Sequence, residues 1–125
     1  MTKMDMIWIV VAKSLRSNIN SSLTRTEIQE QVFDLFQVEK IAPVMIEKHL
    51  VSSEDRQADK NNPRRGGSRN RYLFRKDDGE FRLYKKADGV HDGRDKTGPY
   101  HPKIDNLPSE YQVLVAWYMN EYFRL

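Results

Sequence analysis

Two short runs of alternating residues meet at Asp77-Asp78-Gly79: Tyr72-Leu73-Phe74-Arg75 before it and Phe81-Arg82-Leu83-Tyr84 after it. Alternation of period two marks a strand with one buried and one solvated face. A glycine that tolerates positive φ, behind two turn-favouring aspartates, supplies the connection. The pair predicts a β-hairpin, and a hairpin constrains everything else. Two strands are marginal in water unless something packs on their apolar face. Tyr72, Phe74, Phe81 and Leu83 are expected to face that core, opposite Arg75 and Arg82.

Helical segments supply the packing partner. "MDMIWIVVAKSLRSN" puts Ile7, Val10, Val11, Ser14 and Leu15 on one face of a helix. Its β-branched run also suits a strand; the length of the pattern and the polar tail favour helix. In "LTRTEIQEQVFDLF", Thr24 and Glu27 fit a capping box, and Leu23 with Ile28 fits a hydrophobic staple. Ile28, Val32, Leu35 and Phe36 form the stripe to be buried, with Glu30 and Asp34 outside. A short irregular turn leads to Pro43, suited to the first turn of a third helix over residues 43–52. There Ile46 and Leu50 turn inward with Pro43 and His49 beside them, so His49 reads as a packed histidine. Val44, Glu47, Lys48 and Val51 take the opposite face. "LPSEYQVLVAWYMNEYF" predicts a last helix from about Pro108, with Tyr111, Leu114, Val115, Tyr118 and Tyr122 on one stripe that Trp117 extends. That stripe is either core, packed on the first helix and the hairpin, or a protein interface, such as a homodimer contact.

Charge is distributed unevenly. Residues 1–50 balance six basic residues against six acids, residues 51–86 carry 11 against 6, and residues 87–125 carry 4 against 6. The net +3 therefore originates in the middle. From Pro63 to Lys76 there are six basic residues and no acid: Arg64, Arg65, Arg69, Arg71, Arg75 and Lys76. Such a run attracts polyanions through counterion release, although a solvated loop has the same composition. Gly66 and Gly67 let backbone approach closely, and the arginines around them suit phosphates or a minor groove.

The order of helix, helix, short turn, helix, long polar loop and hairpin resembles a winged helix-turn-helix domain over residues 1–86, an α+β fold of three helices with a hairpin wing. Residues 87–125 would add an irregular extension and the C-terminal helix, packed on the same domain. "NRYLFRKDDGEFRLYKKADG" is similar to the wing of small winged-helix domains associated with restriction-modification and related defence genes. The resemblance implies binding of nucleic acid, duplex DNA first, with the third helix in the major groove and the wing across the backbone. It makes Val44, Glu47 and Lys48 the helix residues nearest the bases. That face lacks the Arg, Asn or Gln of bidentate base contacts, so affinity is expected from Arg64, Arg65, Gly66, Gly67, Arg69, Arg71, Arg75 and Lys76.

Other classes are less well supplied. The chain has no cysteine, hence no disulfide framework or thiolate chemistry. No apolar run approaches the roughly 18 residues of a membrane span, so no membrane partner is expected and the location is read as cytoplasmic. His91, Asp92, Asp95, His101 and Asp105 cluster in sequence without the spacing of a metal site. Asp92, Asp95 and Lys96 offer the parts of a metal-dependent nuclease, but turn chemistry accounts for them. No cofactor, metal or catalytic group is expected. The rival to nucleic-acid binding is a protein–protein adaptor built on the same scaffold.

Overall fold

The structure, a computed structural model, describes residues 1–39, 41–43, 46, 70–88 and 99–125. The fold is α+β: three α-helices and one two-stranded antiparallel sheet among the described residues. Helix α1 spans Lys3–Ser17 and opens on a capping box. The Thr2 side chain accepts from the Asp5 backbone N–H at 3.2 Å, and the Asp5 carboxylate accepts from the Thr2 N–H at 2.9 Å. Burial extends beyond the expected stripe to Trp8, Ile9 and Ala12. A helix apolar on nearly all sides has to lie centrally, and α1 packs against α2, the hairpin and the C-terminal helix. This tertiary wrapping decides the helix-versus-strand ambiguity of its β-branched run.

Helix α2, Arg25–Phe36, starts at the expected Thr24–Glu27 capping box. Ile28 and Val32 are buried and Leu35 and Phe36 half-buried, as the stripe predicts. The helix ends at Gln37, whose φ of 55° is left-handed. Buried Gln29 donates its amide to the Ile41 carbonyl and so fastens the turn that follows. Pro43 and Ile46 have helical backbone and Ile46 is buried, as expected of that face. The rest of the 43–52 helix lies outside the described residues.

Strands β1, Leu73–Arg75, and β2, Phe81–Leu83, pair antiparallel with Leu73 opposite Leu83, Phe74 opposite Arg82 and Arg75 opposite Phe81. Lys76 N–H bonds to the Glu80 carbonyl and Gly79 N–H to the Lys76 carbonyl, enclosing a three-residue loop. Gly79 sits at φ 88°, where glycine alone is unstrained. Leu23, just before α2, forms a bridge with Phe81 through two backbone bonds of 2.9 and 2.7 Å.

The C-terminal element begins with a 3₁₀ turn at Ile104–Asn106, continues as α3, Ser109–Trp117, and widens into a π-helical turn at Tyr118–Tyr122. Its aromatic stripe is core: Tyr118 and Tyr122 are fully buried and Trp117 nearly so. Of the two expectations for this stripe, the packing on α1 and the hairpin is the one these buried residues follow. Tyr118 donates its hydroxyl to the Tyr84 carbonyl at 2.6 Å, and Lys86 N–H bonds to the Phe123 carbonyl at 2.8 Å. One hydrophobic cluster thus includes residues of α1, α2, the hairpin and α3. No helix of the described residues is long and apolar enough to cross a membrane.

Candidate nucleic-acid interface

The hairpin is the part of the expected interface that the structure describes. Arg71, Arg75 and Lys76 fall on it; Val44, Glu47, Lys48, Arg64, Arg65, Gly66, Gly67 and Arg69 lie outside the described residues. The nuclease candidates Asp92, Asp95 and Lys96, with His91, lie outside them too. His101 packs edge-on to Tyr118, with Nδ1 2.8 Å from the Pro102 carbonyl, and Asp105 is exposed in the 3₁₀ turn. Among the described residues no three His, Asp or Glu side chains converge as metal ligands.

The faces of the hairpin differ from the sequence expectation. Directly paired residues share a face, so Leu73, Leu83 and Phe81 face the core, whereas Phe74 lies half-buried on the outer face beside Arg82. Phe74 as a core residue is thus corrected, as is the placing of Arg75 and Arg82 on one face. Alternation is uninformative where Tyr72, Leu73 and Phe74 are all apolar. The three-residue loop sets the register instead, because it makes Arg75 and Phe81 partners. Counting outward from that loop would have found it.

At the tip, Lys76 is already committed. Its amine lies 3.4 Å from Asp78 Oδ2 and donates to Ser22 Oγ at 3.1 Å, and Ser22 donates to Glu80 Oε1 at 2.6 Å. The Glu80 N–H on Asp78 Oδ1, helped by Lys76, holds the Asp78 carboxyl below the usual carboxylate range. With Asp77 exposed as well, the tip carries more acid than base. On the outer face Arg82 makes a bidentate pair with Asp88, at 2.7 and 3.0 Å, and donates to the Leu83 carbonyl. Burial opposes the charge of Arg82, and the Asp88 carboxylate more than restores it, raising its pKa.

Arg75 stands beside the loop, exposed and paired with Phe81, its guanidinium 5.4 Å from the centre of that ring, whereas Arg71, Lys85 and Lys86 gather at the open end of the hairpin. Arg71 places its guanidinium 4.1 Å from the centre of the Tyr100 ring and donates its N–H to the Pro99 carbonyl. Tyr100 stacks in turn on Tyr84, 5.1 Å away and nearly parallel. Lys85 lies over Tyr122, its pKa lowered by burial and by Arg82, and Lys86 is exposed. The end where the arginine-rich stretch joins β1 is therefore cationic and braced by aromatic rings, and the tip is acidic. No known protein family, curated protein or solved structure matches the chain.

Proposed function

We propose that this chain is a winged-helix protein that binds nucleic acid, duplex DNA first, and grips phosphates through the arginine-rich stretch 64–71 and the open end of the hairpin. The observation that carries the reading is the union of an acid-free cationic run with a hairpin fastened to the helices. Arg71, the last arginine of that stretch, is tied through its backbone to Pro99 and through its side chain to Tyr100. The Leu23–Phe81 bridge joins the hairpin to the start of α2, the placement a wing needs beside a helix-turn-helix. Helical backbone at Pro43 and Ile46 falls where the third helix of such a domain begins. The acidic tip and the committed Lys76 favour phosphate contacts at the open end of the hairpin over contacts at its turn.

The test is binding of labelled random duplex, single strand and RNA across a salt series. A binder of this kind weakens steeply as salt rises, with a slope of about 0.9 per phosphate contact on duplex. Replacing Arg64, Arg65, Arg69 and Arg71 together by alanine flattens that slope and lowers affinity regardless of sequence. An adaptor shows little binding at any salt, and unchanged affinity in the folded quadruple variant rejects the reading.

A further inference from the structure

We propose that the outer face of the hairpin takes an unpaired nucleobase, with guanine the best fit; this rests on the nucleic-acid reading above and names the form of nucleic acid it prefers. A groove on that face is lined by Phe74, Lys76, Asp77, Asp78 and Arg82. The Arg82 guanidinium lies 4.2 Å from the centre of the half-buried Phe74 ring. Its two bonds to Asp88 and its bond to the Leu83 carbonyl fix its plane, so the stack is organised before any ligand arrives. A guanidinium stacked on a phenyl ring on one face of a sheet is a platform to which a flat heteroaromatic base adds.

The remaining lining decides which part of a nucleic acid enters. Asp77 and Asp78 repel phosphate, so the backbone stays away from this groove and lies toward the cationic open end. Asp78 is occupied by the Glu80 N–H and Lys76, whereas Asp77 is exposed and has no polar partner among the described residues. An ionised carboxylate only accepts hydrogen bonds, and it accepts two at once from adjacent donors. The Watson–Crick edge of guanine presents two adjacent N–H donors, and that edge is accessible only when the base is unpaired. Stacking on Phe74 and Arg82 holds the base, and Asp77 reads its edge.

Three labelled probes test this: a fully paired duplex, the same duplex with one bulged guanine, and the same with one bulged thymine. The wild-type protein is expected to bind the guanine bulge about tenfold tighter than the paired duplex, the range in which one stacked base contributes. Phe74→Leu, which keeps apolar cover and loses the aromatic face, should erase that preference while leaving paired-duplex affinity unchanged; Phe74→Tyr should keep it. Asp77→Asn should remove the advantage of guanine over thymine. Equal wild-type affinity for paired and bulged probes overturns the inference alone, as does a Phe74→Leu variant that loses both equally. Failure to bind any probe overturns the nucleic-acid reading and this inference with it.

Discussion

Phe81 is 1% exposed and bonded through its backbone to Leu23, whereas Phe74, on the opposite face, is only half-buried under Arg82. Their truncations should therefore differ although the residue type is the same. Phe81→Ala leaves a cavity against α1 and is expected to cost about 3–5 kcal/mol; Phe74→Ala, whose site is already partly hydrated, should cost about 1 kcal/mol or less. Urea unfolding of the two variants measures the difference, and equal losses would mean the register is wrong. A second expectation at this scale separates the basic residues. Lys76 already serves Asp78 and Ser22, so Lys76→Ala should leave the salt slope of nucleic-acid binding unchanged. Removal of a genuine phosphate contact lowers that slope by about 0.9, the outcome expected for Lys86→Ala. In sequence Lys76 looks like one more member of a cationic run, because the acids that neutralise it follow within four residues in the loop and strand. Only the turn geometry brings the Asp78 carboxylate to its amine and links that amine through Ser22 to Glu80.

The elements were legible in proportion to how local their determinants are. Helix α2 follows from the Thr24–Glu27 box and its apolar stripe, both contained within a dozen residues. The hairpin follows from Asp77-Asp78-Gly79, but which face of β1 is buried does not, since apolar residues occupy both. The Leu23–Phe81 bridge is a one-residue strand and so has no periodicity to read. The π-helical turn at Tyr118–Tyr122 is equally silent, because a four-residue spacing of tyrosines suits an ordinary α-helix. Whether the C-terminal stripe is core or interface depends on distant partners, here α1 and the hairpin. The candidate site was legible as an excess of charge, and the split between a cationic open end and an acidic tip was not. The turn itself gives the test at this scale. Gly79 has φ 88° and open space around its α-carbon, so Gly79→Ala meets no steric obstacle and should still cost about 1 kcal/mol through backbone strain. Gly79→Asn should recover part of that loss, since asparagine tolerates this region better. Thermal unfolding distinguishes the pair, and an alanine variant as stable as wild type would refute the left-handed turn.

Across the molecule, tyrosine is the residue through which the fold responds to pH. Four of the six tyrosines are almost wholly buried, and three of them, Tyr72, Tyr118 and Tyr122, join the cluster that unites the helices with the hairpin. Burial pushes all three phenols up, Tyr72 with help from nearby Asp5 and Tyr118 with help from its tyrosine neighbours. Tyr122 is pushed up to about 12 even though Arg82 draws it down. A group whose pKa is higher in the folded state than in the unfolded chain holds its proton longer when folded. Its stabilising contribution is complete below the unfolded value near 10 and is lost as pH rises toward the folded value. Between those limits each such group lowers stability by about 1.4 kcal/mol per pH unit. The midpoint of thermal unfolding should therefore be flat through neutral pH and fall steeply above about pH 10. Phenolate absorbance from these three tyrosines should appear together with unfolding rather than ahead of it. Tyr122→Phe is the informative control, because its buried hydroxyl lies near Arg82 without the geometry of a hydrogen bond to it or to any other described residue. Removing it should leave neutral-pH stability equal or slightly higher and reduce the alkaline slope by about one proton. Tyr118→Phe, which breaks the bond to the Tyr84 carbonyl, should instead lower neutral-pH stability by about 1 kcal/mol. If all six phenols ionise near pH 10 in a chain that stays folded, the aromatic stripe is not core, and its assignment to α1 and the hairpin fails.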